Sequence, residues 1–201
     1  MPRQANPEII PCHQESFFGL AEKVVPNPDT VRPFHRICEI MRRSGVATVL
    51  RHRHVEKEPY FKNEFPQLVR ELEERKAEVR LAEVQQVTFL RTRIAPDARA
   101  ADVRRRLRGR DILATCVVVT GRLTVPPRDG SRTLGPFVYD AILRAPTVDA
   151  RELPNPFPAN FTHVVSEVVI RVMGRRFDLL GSYFAQEDGL ASVCAQTCIK
   201  M

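Results

Sequence analysis

The chain has no tryptophan and only three tyrosines among its 201 residues, which leaves it short of the side chains on which nucleic-acid bases ordinarily stack. No apolar run reaches the roughly 18 residues that span a bilayer, and residues 1–20 hold no basic segment followed by an apolar one. A membrane-spanning or exported protein is not expected, and the cytoplasm is the expected location. No stretch reads as Cys-x-x-Cys, as a glycine-rich phosphate loop or as a Gly-x-Ser-x-Gly elbow. Zinc-knuckle, nucleotide-binding and serine-hydrolase chemistry therefore lack support. Internal repeats and low-complexity tracts are missing too, and 43% hydrophobic against 27% charged residues excludes disorder throughout.

What is present is an ordinary globular composition with a basic bias. Lysine and arginine number 31 against 24 aspartates and glutamates, a net charge of +7; such a surplus attracts nucleic acid or acidic lipid without choosing between them. Five cysteines, an odd number with no export signal, point to free thiols rather than a disulfide framework.

Five prolines precede Pro33, so residues 1–33 read as a loosely ordered lead-in. Phe34, Ile37, Cys38, Ile40 and Met41 then fall at helical spacing, with Pro33 in the first turn and Gly45 as a stop, which predicts a helix from Phe34 to Arg43. The β-branched stretch Val46–Val55 reads as a strand, and Phe65, Leu68, Val69, Leu72 and Val79 line one face of a second helix. Further strands are expected at Val84–Ile94, Asp111–Thr120, Phe137–Leu143 and His163–Val172, with Met173-Gly174-Arg175-Arg176 turning the last into Phe177–Tyr183. Asp111–Thr120 is almost unbroken in its apolarity and reads as a central strand covered on both faces. The expected fold is α+β: a mixed or largely antiparallel sheet with two or three packed helices over residues 34–180, and the first helix of a further unit over 181–201.

Eight arginines, Arg91, Arg93, Arg99, Arg104, Arg105, Arg106, Arg108 and Arg110, crowd twenty residues around a helix predicted from Asp97 to Leu107. On that helix Val103 and Leu107 face the core while Arg104 and Arg108 share the outer face. Arg104, Arg105 and Arg108 thus form a candidate basic surface for a phosphate backbone or another acidic partner, with a solvated helix face as the plainer alternative. His52, His54 and Glu56 would share one strand face at metal-ligand spacing, but no fourth ligand is evident, so no metal or cofactor is expected.

The final stretch, Gln186-Glu187-Asp188-Gly189-Leu190-Ala191-Ser192-Val193-Cys194-Ala195-Gln196-Thr197-Cys198, carries the most specific pattern. A thiol at a helix N-terminus feels the positive end of the macrodipole, which favours the nucleophilic thiolate, and a nearby carboxamide can join a backbone N–H to hold an oxyanion. Cys194 and Gln186 are placed for those roles. The alternative is that Cys194 and Cys198, one turn apart, are small buried hydrophobes. The pattern resembles the nucleophile region of papain-like cysteine peptidases, nearest the bacteriocin-leader-processing, double-glycine branch, although Ala195 stands where that branch has glycine. More loosely, VATVLRHRHVEKEPYF and GSYFAQEDG resemble bacterial proteins that carry such a domain behind an α+β leader. The resemblance implies a thiol hydrolase acting on a peptide or amide. It also implies a His base and an Asn or Asp downstream of the cysteine, and all five histidines precede Cys194. His163 is the one candidate for a permuted base. The expectation is a leader portion that holds the nucleophile and oxyanion loop without the base, inactive alone.

Overall fold

The computed structural model describes residues 6–12, 32–55, 58, 61, 66, 70, 73–74, 78–125, 132–134, 137–144 and 166–183. In chain order they form strand β1 (Glu8–Pro11), helix α1 (Arg32–Arg43), strands β2 (Thr48–Arg53) and β3 (Glu78–Leu90) and helix α2 (Ala100–Arg106). A 3-10 turn (Gly109–Asp111) and strands β4 (Ile112–Val125), β5 (Arg132–Leu134), β6 (Phe137–Arg144), β7 (Ser166–Val172) and β8 (Arg175–Tyr183) follow. The fold is α+β. Seven strands make an open sheet in the order β1-β2-β3-β4-β6-β8-β7, every neighbouring pair antiparallel, and β5 continues alongside the far end of β4.

Strand β4 is central and flanked on both sides, and its residues from Ile112 to Thr120 are buried, as their unbroken apolarity predicts. The amphipathic helix α1 presents Phe34, Ile37, Cys38, Ile40 and Met41 to one face of the sheet, where they pack with Val49, Val87, Phe89, Cys116, Val118 and Leu143. Period 3.6 on the helix meets period 2 on the strands, and the two patterns close one core. Gly45, at φ 75°, follows the end of α1 and turns the chain into β2.

The opposite face is covered differently. Strands β6 and β8 pair over only three residues, Ile142–Arg144 against Gly181–Tyr183, so the remainder of β8 leaves the plane and takes β7 with it. Strands β3 and β7 stand four places apart in the sheet, yet Gln86 Nε2 donates to the Arg171 carbonyl at 2.6 Å. The β7–β8 hairpin therefore folds back over the sheet. Val168, Ile170, Val172, Phe177 and Leu179 on its inner side pack with Leu50, Leu90, Ile112, Val103 of α2 and Leu107 just past its end.

Several elements differ from the sequence reading. The proline-rich lead-in contains β1, an edge strand in register with β2, which Pro11 tolerates because an edge position need not donate. Strand β3 begins at Glu78, so Val79 belongs to it and not to the preceding helix; Pro66, Arg70, Glu73 and Glu74 are helical where described. Helix α2 is shorter than predicted at both ends. Residues 184–201, with the expected Cys194 helix, lie outside the described residues. Among the described residues no helix is long and apolar enough to cross a membrane.

Candidate functional site

Helix α2 has seven residues, too few to be stable by local hydrogen bonding. Two tertiary contacts hold it. Val103 and Leu107, one turn apart, are buried beneath the β7–β8 hairpin. From the same face of that hairpin as Phe177, Arg175 sends Nη1 to the Arg104 carbonyl and, at 2.9 Å, to the Leu107 carbonyl. These are carbonyls that a helix C-terminus leaves without intrahelical partners, and a cation there also meets the negative end of the helix dipole. The same guanidinium lies over the Phe177 ring, 4.9 Å from its centroid.

The helix ends at Arg106. Leu107 leaves helical geometry at ψ 129°, and Arg108 is extended at φ −116°, ψ 149°. Arg104 and Arg108 consequently do not share a helix face, a correction to the periodicity argument. Arg108 instead opens the 3-10 turn, where its backbone N–H donates to Asp111 Oδ2 at 3.0 Å. The turn is braced from β6: Arg144 Nε donates to the Ile112 carbonyl at 2.6 Å and Nη2 to the Gly109 carbonyl. Burial, and then the neighbouring Arg91 charge, hold the Arg144 pKa below the usual arginine value despite the opposing pull of Asp111.

The outcome is a ridge of exposed guanidinium groups. Arg99, Arg104, Arg105, Arg106, Arg108 and Arg110 are exposed on α2 and its flanks, and the hairpin adds Arg176 beside the half-buried Arg175. Asp102 pairs with Arg105 at 2.7 Å and Asp178 with Arg176 at 3.3 Å. Both pairs are solvent-exposed and worth little. The large exposed apolar side chains among the described residues are Val169 and Leu180, with no aromatic, so the ridge offers charge without a stacking platform. Sequence reasoning found Arg104, Arg105 and Arg108 but not Arg175 and Arg176; the Met-Gly-Arg-Arg turn was visible, but its docking against α2 was not.

A second feature lies at the end of the sheet. His52 in β2, the N-terminal residues Asn6 and Pro7, Met173 in the β7–β8 turn, and Ala100, Ala101 and Arg104 on α2 line a cleft of about 190 Å³. The His52 side chain is 8% exposed, and its Nε2 lies 3.6 Å from Glu58 Oε1. Strand alternation does not carry to His54, which has φ 57° and turns to Glu83, at 3.6 Å. The two histidines thus diverge, Glu56 lies outside the described residues, and no cluster of His, Cys, Asp and Glu able to hold a metal occurs among the described residues.

Glu83 gathers the charges at that end of β2. Burial pushes its pKa up, but the Arg53 hydrogen bond at 2.5 Å, the Arg53 charge and those of His54 and Arg51 outweigh it and hold the carboxyl below its usual value. Arg51 reaches Gln85 Oε1 at 2.7 Å and Glu8 at 3.1 Å, tying β1, β2 and β3 together.

Gln186, Cys194, Cys198 and His163 lie outside the described residues, so no geometry bears on the predicted nucleophile and oxyanion loop. The described cysteines are reduced and packed inside: Cys38 and Cys116 are buried and Cys12 is half-buried. Burial raises the Cys12 pKa from 9.0 to about 11 and, with Cys12 nearby, that of Cys38 to about 12. These are core thiols, poor nucleophiles at neutral pH. No protein-family model, curated protein or solved structure matches this chain.

Proposed function

We propose that this α+β domain is a non-enzymatic binding module that holds a polyanion, of the nucleic-acid-backbone type, along the ridge formed by α2 and the β7–β8 turn. One observation carries the reading. Arg104, Arg105, Arg106, Arg108 and Arg110 lie next to Arg175 and Arg176, which come from a hairpin some seventy residues further on. Guanidinium forks suit phosphate oxygens, each able to make two parallel hydrogen bonds. With no exposed aromatic to stack on among the described residues, such contacts follow the backbone and are indifferent to base identity.

The test is the anisotropy of a labelled single-stranded oligonucleotide titrated with protein at several salt concentrations. Each phosphate neutralised adds about 0.7 to the slope of log K against log salt, so a slope steeper than about −2 is expected, with Arg106→Glu plus Arg110→Glu flattening it. Absent binding at low salt, or binding that ignores both salt and the double variant, rejects the module.

A second reading rests on the sequence of residues 186–198. The Gln186 and Cys194 pattern supports a leader portion of a papain-like thiol hydrolase acting on a peptide or amide, with Cys194 as nucleophile and Gln186 as oxyanion donor. Selective alkylation of Cys194 over the buried thiols checks it.

A further inference from the structure

The cleft between β2 and α2 is a pocket that the ridge does not use. Helix α2 presents Ala100, Ala101 and Arg104 to it, positions three and four apart that share one side of the helix. Two of those three are alanine, and the missing side-chain bulk is what leaves room. The opposite wall is set by the hairpin. Gln86 is directly opposite His52 in the β2–β3 register, and its amide clamps the Arg171 carbonyl at 2.6 Å while also donating to Thr115 Oγ1 at 3.3 Å. That clamp brings Met173, two residues beyond Arg171, to the cleft that His52 also lines. Met173 takes φ 52°, a conformation that favours glycine or asparagine. It is nonetheless 94% buried, so its side chain is used as an apolar wall.

The lining pairs this apolar wall with two groups that can donate hydrogen bonds: the Arg104 guanidinium and the Asn6 carboxamide. No carboxylate is among the described lining residues; His52 also borders the cleft, with its imidazole turned to Glu58. We infer that the cleft is a binding site for a small organic oxyanion. Arg104 and Asn6 take the charged head, and Met173, Pro7 and the alanines take a compact apolar body. The volume of about 190 Å³ exceeds what a bare inorganic anion fills. A phosphate or carboxylate head satisfies the same donors. The site stands apart from the polyanion ridge, although Arg104 touches both.

The test is calorimetric titration of the full chain with phenyl phosphate and, separately, with benzoate at constant ionic strength. Saturable one-to-one binding of either is expected, and which one binds identifies the head group. Ala101→Phe fills the cleft without altering charge and is expected to abolish binding while leaving the salt-dependent oligonucleotide affinity as it was. Arg104→Gln is expected to weaken binding at least about tenfold, the worth of one charge-assisted hydrogen bond, and Arg108→Gln to change it by less than about twofold. Saturation by neither compound, binding that survives Ala101→Phe, or equal losses from Arg104→Gln and Arg108→Gln would overturn the site.

Discussion

Gly181 sits where β8 meets both of its partners, opposite Arg144 of β6 and Ser166 of β7. A Cβ built there would fall 2.5 Å from the Leu143 carbonyl oxygen and 3.2 Å from its carbon. Backbone cannot move aside as a flexible side chain can. Gly181→Ala is therefore expected to push β8 off the three-residue β6–β8 ladder and to cost about 1–3 kcal/mol, the usual range for overpacking. A urea midpoint unchanged from the parent would show that the ladder tolerates the methyl group. Thiol reactivity belongs to the same scale. Burial raises the pKa of Cys12 to about 11 and of Cys38 to about 12, and that of Cys116 well above the usual value. Iodoacetamide at neutral pH is expected to leave all three largely unmodified while Cys194 reacts first; mass spectrometry of the labelled peptides reads the order. Labelling of Cys38 or Cys116 as fast as Cys194 would contradict both the packed core and the proposed nucleophile.

At the level of elements, α2 depends on its neighbour for its form. Its carbonyls at Arg104 and Leu107 are taken by Arg175, and its apolar stripe is covered by the same hairpin. Arg175→Ala removes a charged donor from a part-buried site and is expected to destabilise the protein by about 1–2 kcal/mol. Amide exchange of α2 should accelerate more than that of β3 or β4. Uniform acceleration across the sheet would mean that Arg175 supports the whole fold and not the helix end. The clamp from Gln86 to Arg171 is the hairpin's other attachment. Gln86→Leu removes this amide donor from a part-buried bond, at a cost of about 0.5–1.5 kcal/mol, and through Met173 it should also loosen the oxyanion cleft.

For the molecule as a whole, stability should vary with pH on both flanks. Thiols whose folded pKa exceeds the unfolded value leave the native chain holding protons that the unfolded chain has released. Their contribution is complete below the unfolded value of 9.0 and drains away as pH climbs toward about 11 for Cys12 and about 12 for Cys38. Melting temperatures measured from pH 8 upward should fall through that window, and Cys12→Ala should make the fall shallower. Glu83 acts in the opposite sense. Its depressed pKa means a contribution present above the unfolded value of 4.5 and lost as pH drops below it. Glu83→Gln should therefore flatten the acid flank and leave the alkaline one alone. Equal acid flanks in parent and variant would remove Glu83 from the account.

Local physics made much of this molecule readable in advance. Helical spacing of Phe34, Ile37, Cys38 and Met41 marks α1, and the unbroken apolar run after Asp111 marks the central strand. Gly45, and Met173 with Gly174, mark two of the turns. Each of these signals is carried by residues a few positions apart, whose side-chain directions follow from the period of one element. Arg104, Arg105 and Arg108 were visible for the same reason. What stayed hidden were arrangements between distant segments. Glu8–Pro11 is a strand only because β2 offers it an edge. Helix α2 stops at Arg106 because Arg175 takes its carbonyls and Arg108 is drawn into the next turn. His52 parts from His54 through a single backbone angle, and it shares a cleft with Met173 only because a three-residue ladder lets the last hairpin fold back across the sheet. Periodicity specifies which face of an element is apolar. Only the competition among tertiary contacts decides which other face it meets, and the arginine ridge and the cleft both lie at such meetings.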